Sequence, residues 1–548
     1  MDSIEIRGLK ISREALRYII CALVVVVISL LTALMPDNGA IIRGQKKDAN
    51  VYDIEREYSD TGMVLSQKTV DSDGNPVADK GSNIAEVRYE YNGMGYVSRE
   101  SYFGPDGESA AGNSGYASVT YEYDDNGNRN IYRYFDEKGN PAACHSGYAE
   151  LRCTYDKGNR KLDERYYDSK GMQVTSTSGV YGINYEYDGE GKSLGSTFID
   201  REGSPMTSTS RYASVSNTYD PEGHLTNITY YTISGNKAMI SSGYAEIRRK
   251  YDEKDRVARE EYYDLAGMPV LNSSGVAAVE YKYDDEDRTV RLDYFDTEGK
   301  PAVNKSLTAI IEREYNEDGK LIAETYYDAA GSPSENSSHI SGVRKTYDEN
   351  SMLIRDDNQD LDGTLMEDNG YVSHLYEYTA MDLVSKDIYA DAEGNPTLLP
   401  AGYAAISYEY DDLRNKTDTC YLDTEYKPVT LSSGYSSVHM SYDRRKCVKE
   451  EYMDEKGRPG LITSGCHGLI RKYDDNWNLT EVTYIDLNGK PVMNKDQGYA
   501  ILQYDYDDAR NIIGEHYLDE KGNPAADRVN TVRRTYDAER KVIFEEKT

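Results

Sequence analysis

The chain has 548 residues and a formal net charge of −33, from 96 acidic and 63 basic side chains. An acidic surface of this size repels phosphate groups, so DNA or RNA binding is not expected and docking onto anionic lipid is disfavoured. The six cysteines are too few for a disulfide framework, and none has the spacing of a zinc site. Cys144 and Cys153 fall in one repeat unit and could pair in an oxidising compartment.

The N-terminal region contains one long apolar segment. Residues 18–35, YIICALVVVVISLLTALM, carry no charge and are just long enough to cross a bilayer as a helix. Four basic residues precede this segment and three follow it, which weakly favours an N-terminus inside the cell. We predict a cytoplasmic tail at residues 1–17, a single transmembrane helix or signal anchor at residues 18–35, and a linker at residues 36–57. A cleaved signal peptide is the alternative.

A repeat of about 32 residues fills the remainder of the chain. Fifteen units are predicted over residues 58–535, followed by a terminal stub at residues 536–548. A strict period in this range indicates a stacked array and not an ordinary globular core. The unit-opening tyrosines are Tyr58, Tyr91, Tyr123, Tyr155, Tyr187, Tyr219, Tyr251, Tyr283, Tyr315, Tyr347, Tyr378, Tyr410, Tyr442, Tyr473 and Tyr506, with Tyr536 opening the stub.

Each unit combines turn residues with strand formers. Asp-x-x-Gly occurs twice per unit, and aspartate caps backbone amides while glycine supplies the positive φ of a turn. The segments between turns alternate apolar and charged residues with the period of two that is typical of strands. We therefore predict an all-β repeat array of two to three short strands per unit. A β-solenoid, a continuous sheet of hairpins, and a sheet curled into a wide shell all fit this pattern.

Tyrosine is the dominant aromatic residue, with 53 copies against 5 phenylalanines and 1 tryptophan. One interpretation is a ladder of stacked rings that holds successive units together. The other is a row of exposed rings that stack on sugars, because the two rings of a Tyr-Tyr pair point to opposite sides of a strand. The glycan-contact candidates are Tyr167, Tyr231, Tyr263 and Tyr327.

No catalytic, cofactor or metal site is predicted from the sequence. Residues 358–363 partly match a calcium loop, but Asp360 and Gly363 fit the second Asp-x-x-Gly turn of their unit. The unit that opens at Tyr347 departs most from the pattern, because residues 354–362 replace the usual Tyr-Tyr-Asp stretch. This unit is where we expect a bend, a packing defect or a site.

The pattern of Tyr-Asp-x-x-Gly, a strand and a second Asp-x-x-Gly resembles the YD repeat of the Rhs-type proteins of bacteria, over residues 58–548. The resemblance implies a β-rich shell or surface array, which in that family often encloses or carries a toxin. We expect no toxin cargo domain after the terminal stub of this chain.

These observations lead to one main functional prediction and one alternative. The main prediction is a non-enzymatic scaffold or adhesin, held in a bacterial cell membrane by residues 18–35, with its repeats outside the cytoplasm. Its expected partners are cell-wall polysaccharide or a surface protein, reached through many weak contacts along the array. The alternative is an Rhs-related shell or toxin-delivery component.

Overall fold

The structure is a computed structural model that describes residues 3–6, 9–12, 53–443, 445–525 and 529–548. The chain divides into two compact regions, Met1–Ala49 and Asn50–Thr548. In the first region, β1 (Ser3–Ile6) and β2 (Leu9–Ser12) pair as an antiparallel hairpin. The predicted transmembrane segment lies outside the described residues. Within the ranges given above, no helix has the length and apolar character needed to span a bilayer.

The second region contains sixteen β-hairpins, each with a first and a second strand. The first strands are β3 (Asp53–Tyr58), β5 (Glu86–Tyr91), β7 (Ser118–Tyr123), β9 (Glu150–Tyr155), β11 (Gly182–Tyr187), β13 (Ser214–Tyr219), β15 (Glu246–Tyr251), β17 (Ala278–Tyr283), β19 (Ile310–Tyr315), β21 (Gly342–Tyr347), β23 (Ser373–Tyr378), β25 (Ala405–Tyr410), β27 (Ser437–Asp443), β29 (Gly468–Tyr473), β31 (Ile501–Tyr506) and β33 (Thr531–Tyr536).

The second strands are β4 (Val64–Val70), β6 (Val97–Phe103), β8 (Arg129–Phe135), β10 (Lys161–Tyr167), β12 (Ser193–Ile199), β14 (Leu225–Tyr231), β16 (Val257–Tyr263), β18 (Thr289–Phe295), β20 (Leu321–Tyr327), β22 (Leu353–Gln359), β24 (Val384–Ala390), β26 (Lys416–Leu422), β28 (Lys446–Met453), β30 (Leu479–Ile485), β32 (Ile512–Leu518) and β34 (Val542–Lys547). We number the hairpins as units 1 to 16 in chain order.

All of these strands form one open antiparallel sheet in which each strand pairs with its neighbours in sequence. Among the described strands, β3 is paired with β4 alone and β34 with β33 alone. This arrangement confirms the predicted all-β array and selects the hairpin sheet. The β-solenoid interpretation is wrong, because a solenoid would pair equivalent strands of successive coils in parallel. The large sheet begins with β3 at Asp53, inside the predicted linker, and the predicted stub contains β34.

Three turns shape each unit, one more than the two Asp-x-x-Gly turns suggest. In unit 4 the first turn joins β9 to β10, and Asp156 Oδ1 accepts the backbone N–H groups of Gly158 and Arg160 at 2.7 and 3.0 Å. The second turn follows β10 and is capped in the same way by Asp168, whose Oδ1 lies 2.9 Å from the Met172 amide nitrogen.

The third turn is built by the Ser-Gly-Tyr-Ala segment. In unit 4 it covers residues 176–180, and the Gly179 amide donates to the Ser176 carbonyl at 2.8 Å. The Thr177 amide donates to the carbonyl of Ser146, which lies in the third turn of the preceding unit, also at 2.8 Å. Third turns of neighbouring units are therefore linked to each other along one edge of the sheet.

The sheet has two chemically different faces, because side chains alternate along each strand. One face, here called the tyrosine face, carries Leu151, Cys153 and Tyr166, and the third turns pack on it. The other, here called the charged face, carries ion pairs such as the one between Arg152 Nε and Glu150 Oε1 at 2.5 Å. Cys144 and Cys153 are both buried free thiols, so the disulfide alternative is wrong.

The tyrosines connect successive units in two ways. On the tyrosine face, rings from second strands alternate with rings from third turns: Tyr134 and Tyr148 lie 6.0 Å apart, and Tyr148 and Tyr166 lie 4.5 Å apart, between centroids. The unit-opening tyrosine donates its hydroxyl to a backbone carbonyl of the preceding unit, as from Tyr283 to Val257 at 2.8 Å. These contacts match the predicted ladder of stacked rings.

Candidate functional site: the seam

The four predicted glycan-contact tyrosines all lie on the charged face, at the end of second strands, and all are half-buried. The guanidinium carbon of Arg152 lies 3.9 Å from the Tyr167 ring centroid, and that of Arg248 lies 3.8 Å from the Tyr263 centroid. The Tyr327 hydroxyl donates to Glu312 Oε2 at 2.9 Å. Tyr231 accepts a hydrogen bond from Ser216 at 3.4 Å.

These four tyrosines do not form an unbroken row. The equivalent position is Ile199 between Tyr167 and Tyr231, and Phe295 between Tyr263 and Tyr327. Ile199 is fully buried. The structure therefore provides separated, partly covered rings, and the glycan role of the four stays a prediction.

The most distinctive site in the array is a lateral seam that sequence reasoning did not identify. First turns of units 11 to 16 contact second and third turns of units 1 to 5. The contacts join residues 333 to 335 positions apart in several places, as in the bonds from Trp477 to Ala143, Arg510 to Thr175, and Arg540 to Thr207. The ribbon of hairpins thus returns to its own beginning and makes edge-to-edge contact.

The seam side chains occupy one repeated position, the left-handed residue of the first turn. In units 1 to 10 this position holds small or short side chains: Gly62, Gly95, Gly127, Asn159, Gly191, Gly223, Asp255, Asp287, Gly319 and Ser351. In units 11 to 16 it holds Asp382, Arg414, Arg445, Trp477, Arg510 and Arg540. Left-handed backbone is unfavourable for large residues, so their presence here indicates a compensating contact.

Arg510 shows how such a contact is made. Its Nε donates to the carbonyl of Thr175 at 3.0 Å and its Nη2 donates to the carbonyl of Gly147 at 2.7 Å, both across the seam. Its Nη1 donates to the carbonyl of Asn476 at 3.1 Å, in the preceding first turn on its own side. Burial lowers the pKa of the Arg510 guanidinium from its ordinary value, although that value stays far above neutrality.

Arg540 repeats this geometry one unit later. Its Nε donates to the carbonyl of Thr207 at 2.8 Å, and its Nη2 donates to the carbonyl of Gly179 at 2.6 Å. A Cβ at either Gly147 or Gly179 would collide with the docked guanidinium. Glycine at these two positions therefore provides both the positive φ of the third turn and the space for the arginine.

Other seam contacts use different chemistry. The indole Nε1 of Trp477 donates to the carbonyl of Ala143 at 2.9 Å, and the ring meets His145 edge-on at 6.0 Å between centroids. Asp382 forms an ion pair with Lys80. Arg201 Nη2 lies 3.3 Å from Asp508 Oδ2 at the solvent-exposed side of the seam.

The seam converts the array into a coil of measurable size. From β10, which precedes Thr175, to β31, which precedes Arg510, the sheet advances by 21 strands. At about 4.8 Å per strand the circumference is about 100 Å, which gives a backbone diameter of about 32 Å. The buried apolar clusters join side chains of neighbouring units only, as in the cluster of Ile247, Tyr262, Val276 and Val279.

The unit opening at Tyr347 contains a buried polar cluster. His374 and Asn358 occupy positions that hold Leu151 and Tyr166 in unit 4. His374 Nδ1 lies 2.9 Å from the Tyr376 hydroxyl, and that hydroxyl donates to Asp356 Oδ2 at 2.7 Å. Asn358 Nδ2 is buried without a hydrogen-bond partner, whereas the buried His374 Nε2 lies 3.6 Å from Asp387 Oδ1. These side chains line none of the five main cavities of the described residues, which fits a packing defect.

Asp360 sits where the turn interpretation placed it. Its Oδ1 accepts the backbone N–H groups of Asp362 and Thr364, both at 3.0 Å. Its carboxylate is therefore engaged in the second turn. Within the described residues, no group of three or more acidic, histidine or cysteine side chains has the geometry to hold a metal ion.

Comparison with known proteins gives distant structural neighbours only. No family profile matches the sequence, and no curated protein matches it. The crystal structure of TcdB2-TccC3-Cdc42 is 11% identical with a TM-score of 0.38, over 91% of this chain and 26% of that chain. TcdB2-TccC3-TEV has the same identity and TM-score, over 99% and 28% of the two chains.

A Tc holotoxin pore from Photorhabdus luminescens is 13% identical with a TM-score of 0.29, over 89% of this chain and 26% of that chain. The chain thus spans little more than a quarter of the length of these solved chains. With TM-scores below 0.5, these similarities are too distant to assign a function.

Proposed function

We propose that this protein is a shell-type structural component, whose coiled sheet encloses a compartment. The observation that carries this proposal is the seam between units 11–16 and units 1–5. A ribbon that served only as an extended surface has no need of contacts between residues 333 to 335 positions apart. A coil fixed by such contacts has a concave face that is shielded from large molecules.

The dimensions of the coil suit a hollow enclosure. A backbone diameter of about 32 Å, less about 5 Å of side chains on each side, leaves a lumen about 22 Å wide. That width accommodates an extended or partly folded polypeptide. This arrangement corresponds to the Rhs-related shell of the alternative prediction. We further propose that such a shell takes part in the delivery of a toxin.

Anchoring in a membrane through residues 18–35 stays compatible with this role, as does an extracytoplasmic location. Contact with a surface protein or with cell-wall polysaccharide also stays a prediction. None of these features is needed for enclosure itself, which depends on the described array alone.

Labelling of opposite faces of one strand tests the proposal. Arg249 and Lys250 are neighbours in β15, on the tyrosine face and the charged face respectively, and their side chains are 26% and 67% exposed. Arg249→Cys and Lys250→Cys would be made separately in a chain without the native thiols. Each would be treated with a small maleimide and with a polyethylene-glycol maleimide wider than the lumen.

Enclosure predicts that the cysteine on the concave face reacts much more slowly with the large maleimide than with the small one. The cysteine on the opposite face should show a much smaller difference between the two labelling rates. An equal slowing at both positions would contradict a shielded compartment. The unlabelled variants must first unfold at the same denaturant concentration as the parent chain, which separates a folding defect from a true result.

A further inference from the structure

A cavity of about 620 Å³ opens within the seam, between units 4 and 5 on one side and units 14 and 15 on the other. This volume falls in the range of clefts that bind small molecules. Its walls combine aromatic rings with hydrogen-bonding side chains from both sides of the seam. The principal lining residues are Tyr167, Tyr181, Arg201, Asn476, Tyr506 and Asp508.

The aromatic walls come from both partners in the seam. Tyr167 and Tyr181 belong to the early units and Tyr506 to a late unit. Arg152 covers one side of the Tyr167 ring, and Arg201 lies 5.0 Å from the Tyr181 centroid. Tyr181 is only 6% exposed. Tyr167 and Tyr506 are half-buried and provide the apolar platforms, whose hydroxyl edges stay polar.

The charges around the cavity exclude an anionic ligand. Four carboxylates line it against two guanidinium groups, from Asp168, Asp474, Asp507, Asp508, Arg201 and Arg510. Arg510 is already committed to carbonyl groups on both sides of the seam. No free cationic group is left in the lining to compensate an added negative charge.

Most of these carboxylates are also committed, which disfavours a purely cationic ligand. Asp474 Oδ2 accepts the side-chain amide of Asn478 at 2.8 Å, and Asp507 Oδ2 accepts that of Asn511 at 2.8 Å. The Asp168 carboxylate caps its own turn. The cavity therefore presents oriented hydrogen-bonding groups and aromatic surface, and most of its carboxylates are held in hydrogen bonds to neighbouring amides.

We propose that this seam cavity binds an uncharged oligosaccharide of two to three sugar units. Sugar rings have apolar faces that stack on tyrosine, and their hydroxyl groups both donate and accept, which suits Asn476 and the Arg201–Asp508 pair. The ligand would touch unit 4 and units 14 and 15 together. Binding would therefore favour the closed coil by mass action.

The test uses the whole chain and three uncharged probes: the β-1,4-linked trisaccharide of N-acetylglucosamine, cellotriose and maltotriose. Binding would be measured by titration calorimetry and by protection of amides from hydrogen exchange. We expect at least one probe to bind and to protect residues 168–181 and 474–510 together. Tyr167→Ala should weaken that binding about tenfold or more, the loss expected for one stacking platform.

The matched control is Tyr263→Ala. Tyr263 occupies the same place in unit 7 and carries the same arginine contact, but it does not line the cavity. Tyr263→Ala should change the affinity for the bound trisaccharide by less than about twofold. Asn476→Ala, which leaves every tyrosine in place, should also weaken binding.

Three outcomes would overturn the proposal: no binding of any probe, equal losses in Tyr167→Ala and Tyr263→Ala, or protection confined to one side of the seam. Equal losses would instead favour a row of surface tyrosines. The enclosing function is tested separately, because face-selective labelling can succeed whether or not a sugar binds.

Discussion

Replacing Arg510 by glycine distinguishes the stability of the seam contacts from the stability of the sheet. Glycine is the residue at this turn position in several early units, so the backbone of the first turn is retained. The substitution removes the two guanidinium bonds that cross the seam to Thr175 and Gly147. The strand ladder on either side of the turn makes no use of the Arg510 side chain.

The expected loss follows from two terms. Hydrogen bonds to charged groups contribute about 1.5–3 kcal/mol each. The lower value applies here, because opening of the seam lets water reach the two carbonyl groups. The two bonds from Arg510 therefore contribute about 3 kcal/mol together. Relief of the left-handed conformation, φ 62°, is worth about 1 kcal/mol but stabilises the closed and the open seam equally, because the turn is retained in both. The net cost to seam closure is therefore about 3 kcal/mol, or about a 150-fold increase in opening.

Hydrogen exchange measured by mass spectrometry is the appropriate assay. Arg510→Gly should accelerate exchange about 150-fold in residues 143–148 and 173–181, while the strands of unit 8 keep their protection. The matched control is Ser351→Gly, at the same turn position in unit 10, where φ is also 62° and no seam contact exists among the described residues. Its effect should stay within about 1 kcal/mol and should not reach the seam.

Equal acceleration in both variants would refute the assignment of Arg510 to the seam. So would an acceleration that spreads evenly through all sixteen units, because that pattern indicates general loss of the sheet.

Three further predictions concern the units themselves. Tyr283→Phe removes the hydroxyl bond to the Val257 carbonyl and should cost about 1 kcal/mol in urea unfolding; an unchanged midpoint would remove the unit-to-unit role of the opening tyrosine. The double variant Asn358→Tyr with His374→Val restores the residue classes of other units and should raise the thermal midpoint, since the unpaired Asn358 nitrogen and the buried imidazole disappear; a lower midpoint would show that the polar cluster, with its contact between His374 and Asp387, is stabilising. Acid should destabilise the array, because hydrogen bonds hold the pKa of several turn aspartates, such as Asp156 and Asp252, below the ordinary value, and the side-chain bond from Arg458 lowers that of Asp454 to about 2. The stability that these groups contribute is present above their unfolded pKa near 3.8 and is lost as the pH falls toward 2. Asp454→Asn should therefore reduce the slope of the unfolding free energy against pH in that window. An unchanged slope would contradict the assignment.

The repeat, the strands and two of the three turns could be predicted from the sequence, because each is specified by chemistry inside one unit. Asp-x-x-Gly fixes a turn wherever it occurs, and alternation fixes two faces. The third turn was harder to recognise. Its left-handed residue is often glycine but also Arg211, Leu307 or His339, so no single dipeptide marks it.

The coil could not be predicted from one unit, because curvature accumulates over about ten units from small rotations between strands. A signal was nevertheless present. When the units are aligned on their first turns, glycine and short residues give way to Arg414, Trp477 and Arg510 late in the chain. A large residue in left-handed backbone, repeated at one phase, indicates a contact outside the unit.

The predicted ladder of stacked tyrosines is confirmed. The predicted sugar contacts of outward tyrosines stay a prediction. Ring stacking and hydroxyl bonds between units follow from the repeat itself. Which outward ring has room for a ligand depends on the seam, which places Tyr167 beside a cavity and leaves Tyr263 without one. Sequence position alone does not distinguish these two residues.

The most direct test of the coil is a zero-length cross-link over the seam. Arg201 and Asp508 form an ion pair at 3.3 Å although 307 residues separate them. In the variant Arg201→Lys, carbodiimide should join position 201 to Asp508 through an amide bond, detected by mass spectrometry in the intact chain. A mixture of isotope-labelled and unlabelled protein should give no mixed cross-link.

The coil predicts efficient intramolecular linkage that Asp508→Asn abolishes. A flat hairpin ribbon would place the two positions about 90 Å apart, at about 4.8 Å per strand. Absence of the link, or its appearance only between labelled and unlabelled molecules, would contradict the coil.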